Sequence, residues 1–399
     1  MARNPKKIIK KMTSFKKKIC VITGSRAEYG ILKNLIYKLK KSKKIKLQLV
    51  VTGMHLSLKH GLTYKEIVED GFKITRKIKI LKNSDSERDV SNFTSDGIKK
   101  ISQVFNKIKP NLILVLGDRF EVFAGVIAAM FARIPIGHIH GGETTEGAID
   151  EAIRHSITKM SHLHFVSTEE YKKRVEQLGE FPKNVYLTGG MGVDTIKKTK
   201  LLKKNILEKK INFNFGKKNI LVNFHPVTLE KNTSKIQIKE ILSALKILKN
   251  TKIIFSMPNA DHDSKVIFRE IKNFVRKNKN SKSYKSLGSL NYLSCLKLVD
   301  VILGNSSSGL LEAPTLRVPT INIGDRQKGR AKANSVIDCK PKKKKILKKL
   351  KKILDNNLFL RPNDFKNPYG NGGASEKIVN ILEKIDYNSL LKKKFYKNN

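Results

Sequence analysis

From residue 17 onward, short aliphatic and β-branched runs alternate with longer stretches whose apolar positions recur at helical spacing. ICVIT (19–23), LQLVVTG (47–53), NLILVLG (111–117), PIGHIH (135–140), LHFVS (163–167) and NVYLTG (184–189) read as strands. NLILVLG is apolar throughout, the pattern of a strand covered on both faces. Such strand–helix repetition predicts a doubly wound parallel sheet. The rhythm pauses over about 198–216, which is polar and weakly patterned. It resumes with NILVNFH (219–225), KIIFSMPN (252–259), VDVILGN (299–305) and VPTINIG (318–324). The expected fold is α/β, with two Rossmann-like doubly wound domains facing a cleft. Their expected limits are a basic extension (1–16), a first domain (17–197), a second domain (198–370) and a closing helical segment (371–399) placed to return to the first domain.

Composition changes this picture little. The 399 residues hold 82 Lys plus Arg against 34 Asp plus Glu, a net charge of +48, yet 39% are hydrophobic, so a wholly disordered basic chain is excluded. The lysines spread over every predicted helix, and no aromatic-interleaved basic motif appears, so nucleic-acid binding is a remote alternative. The densest run, KPKKKKILKKLKK (340–352), carries Ile346, Leu347 and Leu350 at helical spacing and reads as an amphipathic surface helix. Cys20, Cys295 and Cys339 form no CxxC, which argues against a disulfide or zinc scaffold and for a reducing cytoplasm. The longest apolar stretch (122–132) is too short to span a bilayer, and the basic N-terminus lacks the apolar core of a secretory signal.

In doubly wound sheets, ligands sit beyond the carboxyl ends of strands, and here those ends are rich in polar chemistry. Gly24 and Arg26 follow the first strand; Asp118 and Arg119 follow NLILVLG. His138 and His140 share a strand face, and Gly141–Gly142 and Glu143 come next, with the glycines expected to pass close to a ligand. A helix is expected from near Ala148, with an apolar stripe Ile149, Ile153 and Ile157 and with i,i+4 pairs Asp150/Arg154 and Glu151/His155. Histidine and carboxylates at one strand end suit acid–base work; a metal held by His138, His140 and Glu143 rests only on a weak H-x-H motif. In the second half, His225, Asn259, the small-residue segment GNSSSGLLEAP, Glu312, Arg326 and Arg330 argue for a phosphorylated ligand.

SRAEYG, TGMHLS, GDRFE, HIHGGETTEGAIDEAIRH, NFHPVT, GNSSSGLLEAP and GDRQKGR, in this order from about residue 17 to 385, resemble the hydrolysing UDP-N-acetylglucosamine 2-epimerases of bacterial sialic-acid-type sugar synthesis. The resemblance implies the B-type fold of nucleotide-sugar glycosyltransferases (GT-B). It also implies conversion of UDP-N-acetylglucosamine and water to N-acetylmannosamine and UDP through a 2-acetamidoglucal, with no cofactor or metal. Carried over by motif, Arg26, Gly30 and Arg119 lie near the diphosphate, and His225 contacts it and aids its departure. Ser306 and Ser307 hold phosphate, Glu312 the ribose, Asn259 and Arg326 help fix the nucleotide, and Leu287 marks the uracil contact. Asp118 and Asp150 match catalytic acids. Where some relatives carry a catalytic Glu this chain has His140, so the C2 base stays open between His140, Glu143 and Asp150. Asp118, Glu143 and Asp150 are expected to act as a set whose like charges raise at least one pKa. Alternatives are the same reaction on UDP-2,4-diacetamido-2,4,6-trideoxyglucose, a non-hydrolysing epimerase, a glycosyltransferase and an RNA-binding protein. A homo-oligomer, dimer or tetramer, is also implied.

Overall fold

The computed structural model describes residues 16–81, 87–145, 149–227, 233–258, 264–355 and 361–397. In these residues two sheets form, parallel throughout. The first contains β1 (Lys17–Thr23), β2 (Ile45–Thr52), β3 (Arg76–Ile78), β4 (Leu112–Leu116), β5 (Ile136–Ile139), β6 (Leu163–Val166) and β7 (Val185–Leu187), in the spatial order β3-β2-β1-β4-β5-β6-β7. The second contains β8 (Lys218–Asn223), β9 (Thr251–Ser256), β10 (Ser281–Tyr284), β11 (Val301–Gly304), β12 (Thr320–Ile323) and β13 (Val336–Cys339), ordered β10-β9-β8-β11-β12-β13. Strand order reverses beside β1 in one sheet and beside β8 in the other. Those are the switch points where a doubly wound sheet opens a crevice.

Every strand read from the sequence is present, mostly trimmed by a residue or two. Three short strands, β3, β10 and β13, were not foreseen. The weakly patterned stretch after 198 contains a helix, Lys204–Ile211, that buries only Leu207 and Ile211, too sparse a stripe to register as periodic. The helix expected near Ala148 is described from Asp150 to Met160; Ile157 is fully buried but Ile149 is 65% exposed and outside the apolar stripe. Phe120–Phe131, the most apolar stretch, is a helix packed into the first core, and among the described residues no helix is long and apolar enough to cross a membrane. The lysine-rich run forms helix Lys343–Leu354, which buries Ile346, Leu350, Ile353 and Leu354 in the second core and turns its lysines outward.

Each sheet is covered on both faces. One face of the first sheet packs on helices Arg26–Lys41 and Ala374–Lys384, the other on Glu87–Ile108, Phe120–Phe131 and Asp150–Met160. Helix Ala374–Lys384, which follows the second sheet in sequence, thus belongs to the first core through Ala374, Ile378, Val379 and Leu382. Burying its Ile and Leu contributes roughly 1.5–3 kcal/mol each, so its apolar face dominates the docking. Direction is set by Asp194, which is 1% exposed and accepts the backbone N–H groups of Gly373, Ala374 (3.0 Å) and Ser375 (2.6 Å). A carboxylate at a helix start satisfies orphan donors and complements the dipole. Asp194→Ala leaves three N–H groups without this acceptor and lowers stability by about 2–3 kcal/mol. Urea unfolding checks this, and an unchanged midpoint would refute the role given to the cap.

Candidate active site

Helix Arg26–Lys41 begins directly after β1 because Ser25 and Glu28 form a reciprocal capping box. The Glu28 Oε2 accepts the N–H groups of Gly24 (2.7 Å) and Ser25 (3.2 Å), while its Oε1 is buried without a hydrogen-bond partner. This start aims Arg26 across the cleft, where it binds Glu66 (2.8 Å) and donates to the Ser286 hydroxyl of the second sheet's side. Arg26, Gly30, His225, Leu287, Ser306, Ser307, Glu312 and Arg326 line one cavity of about 340 Å³ between the sheets.

The second-sheet wall of this cavity is built by Asn305, fully buried after β11. Its side chain accepts the His225 N–H (2.7 Å) and donates to the His225 carbonyl (2.8 Å), extending the β8–β11 pairing by side-chain bonds. Its backbone carbonyl accepts Arg326 Nη1 (3.0 Å) and Gln327 Nε2 (2.9 Å). The His225 Nε2 lies 2.9 Å from Asn223 Oδ1, an acceptor, so that nitrogen carries the proton. The helix expected at GNSSSG is one turn, Ser308–Leu311, and the segment presents mainly hydroxyls to the cavity. Glu312 closes it; its Oε2 is buried without a partner among the described residues, and burial pushes its carboxyl up. An orphan acceptor of this kind suits hydroxyl donors from a ligand.

A second cavity of about 240 Å³ adjoins the first and holds Asp118, Arg119, His140, Glu143, Asp150 and Arg330. Ala27, Ile31, Ser307 and Arg326 line both. His140 has a left-handed backbone (φ 65°). Its Nε2 accepts the Met191 N–H (3.1 Å), which leaves the proton on Nδ1, 3.1 Å from Glu143 Oε1. The same oxygen accepts the Ser167 hydroxyl (3.0 Å), and Oε2 faces Arg330 Nη2 (3.1 Å). Burial pushes Glu143 up, but His140, Arg330 and the Ser167 hydroxyl outweigh it and hold the carboxyl at about 2. Glu143 is thus not a raised member of the expected set, since Arg330 and hydrogen-bond donors surround it. The carboxyl that does rise is Glu28, pushed to about 7 by burial and by Glu121, against the pull of Arg119.

Several other expectations are redrawn. Arg154 pairs with Asp118 and with Glu151 (3.4 Å) as well as binding the Glu143 carbonyl, while Glu151–His155 forms as foreseen at 3.1 Å. Arg119 lines the second cavity rather than the first and forks onto buried Glu121 (3.0 and 3.1 Å). Gly141 and Gly142 pass protein, not a ligand: a Cβ on Gly142 would lie 2.5 Å from the Tyr171 carbonyl oxygen. His138 Nε2 donates to the Gly117 carbonyl (2.8 Å), and burial lowers its pKa to about 3, so it is a neutral structural group. Among the described residues no three His, Cys, Asp or Glu side chains are grouped to hold a metal. Asn259 lies outside the described residues. The sequence reading passed over Glu28, whose S-x-x-E spacing signals only a cap, and Gln327, which carries no motif signal.

The loop after β5 is tied across the cleft: Arg330 Nε donates to the Thr144 carbonyl (2.9 Å) and the Thr144 hydroxyl to the Gly329 carbonyl (2.6 Å). Arg330→Ala strands a buried carboxylate and costs about 3–5 kcal/mol at neutral pH. Because Glu143 is depressed from 4.5 to about 2, its ionic contribution is complete above 4.5 and is lost as pH falls towards 2. Denaturation of both proteins between pH 7 and 3 checks this. A stability difference that stays constant over that range would contradict it.

Residues 37–383 match the family model described as UDP-N-acetylglucosamine 2-epimerase. The chain is 44% identical over 325 residues (81% of this chain, 84% of the relative) to the GDP/UDP-N,N'-diacetylbacillosamine 2-epimerase (hydrolyzing) of Campylobacter jejuni. It is 42% identical over 368 residues (92% and 94%) to polysialic acid biosynthesis protein P7 of Escherichia coli. The fold matches the crystal structure of UDP-GlcNAc 2-epimerase from Neisseria meningitidis bound to UDP-GlcNAc, with a TM-score of 0.77 and 22% identity over 92% of this chain and 100% of that one. The architecture is therefore that of the GT-B-like epimerases. The chain belongs to the UDP-N-acetylglucosamine 2-epimerase family.

Proposed function

We propose that the protein is a hydrolysing 2-epimerase of a UDP-activated 2-acetamido sugar. The observation that carries this reading is the pair of adjoining cavities, one lined by hydroxyls, His225 and arginines, the other by carboxylates. A nucleoside diphosphate fits the first and its sugar the second. His225, Arg326, Ser306 and Ser307 bind the diphosphate and stabilise the charge that grows as UDP leaves. Glu312 accepts the ribose hydroxyls, and the backbone at Leu287 meets the base. Asp150, which lines the same cavity as Asp118 and Arg154, is taken as the C2 base, with His140 and Glu143 as the alternatives. Asp150 takes the C2 proton as the C1–O bond breaks, giving UDP and a 2-acetamidoglucal. Water then adds at C1, and C2 takes a solvent-derived proton on its other face.

The relative at 44% identity favours UDP-N,N'-diacetylbacillosamine as the substrate. A relative at 30% identity over 92% of this chain, named UDP-N-acetylglucosamine 2-epimerase, favours a second reading, UDP-N-acetylglucosamine. The reading further places the chain in the cytoplasm, as a homo-oligomer, with one domain over 17–197, a second over 198–370 and the segment 371–399 returning to the first.

In heavy water the preferred UDP-sugar yields UDP and a free 2-epimeric sugar carrying deuterium at C2; release without deuterium contradicts the elimination. Side-by-side kinetics with the two UDP-sugars decides the substrate, with at least a tenfold difference in kcat/KM expected for the preferred one. Asp150→Asn lowers turnover about 10²–10⁴-fold, the usual size of a general-base contribution, with no change in UDP affinity by titration. A mild loss would return the C2 base to His140 or Glu143.

A further inference from the structure

Four carboxyls line the second cavity, Glu28, Asp118, Glu143 and Asp150, and Glu151 is bonded to Arg154 outside the wall. Among those in the wall, Asp118 is paired with Arg154 and Glu143 with His140, Ser167 and Arg330. Glu28 differs. The residue is 7% exposed, one carboxyl oxygen is clamped by two backbone N–H groups, and the other is buried without a hydrogen-bond partner. It lines the second cavity on the helical turn between Ala27 and Ile31, the two residues of that turn that line both cavities. A substrate with its diphosphate in one cavity and its sugar in the other places its anomeric carbon at that junction.

We propose that Glu28 is a further catalytic residue, the general base that activates the water adding to C1. This rests on the epimerase reading above and concerns only its second step. As the water oxygen bonds to C1 of the 2-acetamidoglucal, one water proton passes to Glu28 Oε1 and C2 takes a solvent-derived proton. Glu28 then releases its proton to solvent, so the sum is glucal plus water giving the free sugar. The clamp on Oε2 fixes the carboxyl while leaving Oε1 for the water, and orientation of this kind is what a general base requires.

The electrostatic surroundings match the task. Glu121 and Arg119, from the segment after β4, face Glu28 with opposing effects, and burial adds to the Glu121 side, giving a pKa of about 7. The remaining titratable or charged groups in the wall are Asp118, His140, Glu143, Asp150 and Arg154 from the first sheet's side and Arg326 and Arg330 from the second. A carboxyl near neutrality is a stronger base than a free one and is still half ionised at the working pH.

The test is Glu28→Gln, which preserves the capping box because glutamine at this position serves as well as glutamate. The variant is expected to release UDP from the UDP-sugar within a fewfold of the wild-type rate. The 2-acetamidoglucal then accumulates, and formation of the free sugar falls at least about 100-fold. Equal loss of both products, or an unchanged product ratio, overturns the proposal. A second measurement does not depend on the variant: wild-type hydration of supplied 2-acetamidoglucal in the presence of UDP rises as pH increases through about 7. A flat profile from pH 5.5 to 8.5 counts equally against it. Failure of the wild type to release UDP from either UDP-sugar would instead refute the epimerase reading, so the two failures are distinguishable.

Discussion

Glu143 is ionised yet almost wholly removed from water, and a carboxylate in that position is tolerable only with positive partners and hydrogen bonds. One partner, Arg330, comes from the opposite sheet. The electrostatic demand of a single side chain thus fixes how the loop after β5 meets the segment after β12. The same demand orients His140, because its Nδ1 proton faces Glu143 while Met191 N–H occupies Nε2. Nearby, the Tyr171 hydroxyl accepts the Ala331 N–H (2.8 Å) and the Tyr369 hydroxyl donates to the Ala331 carbonyl (3.1 Å), so the polar seam continues into a buried aromatic pair. The wall of the second cavity is braced where these bonds lie.

The polar groups of the two cavities fall into those tied within the protein and those with unused hydrogen-bonding capacity. Coupled charges dominate the first class: Glu121 with Arg119, Asp118 with Arg154, Glu143 with Arg330. The second class is marked by unsatisfied capacity, seen at Glu312 Oε2 in one cavity and Glu28 Oε1 in the other. Buried polar atoms without partners carry a desolvation cost of about 1–3 kcal/mol each. Among the described residues Gln327 Oε1 is a further such atom in the second cavity.

The strands that carry chemistry were legible because parallel strands covered on both faces are continuous apolar runs, as in LILVL of β4. β3 and β10 escaped notice since they are short edge strands of mixed polarity, RKI and SKSY. At the site, residue types at strand ends were enough to pick out many of the charged and hydroxyl members of both cavities, including His225, Ser306, Ser307, Glu312 and Arg326. What spacing could not convey was pairing. Arg154 lies four residues from Asp150, yet its guanidinium also reaches Asp118 at the end of a different strand. The pKa of a carboxyl follows from such long-range pairings, so Glu143 is lowered although the set it belongs to was expected to hold at least one raised member. Glu28 was hidden by its own local signature, since a capping glutamate gives no sign of which oxygen remains.

The return of helix Ala374–Lys384 to the first core has a consequence for how the chain is made. Lys17 Nζ, on the first strand, donates to the carbonyls of Glu383 (3.0 Å) and Ile385 (2.6 Å), more than 360 residues away in sequence. During synthesis the first sheet can assemble, but one face of it, already packed on helix Arg26–Lys41, lacks its second covering helix until nearly the whole polypeptide has emerged. The second sheet, whose strands and helices all lie between residues 204 and 354, has no such wait. The half translated later is therefore the half that can finish first. Until then the earlier half carries an open apolar face, the kind of surface that invites chaperones or misassembly on the ribosome.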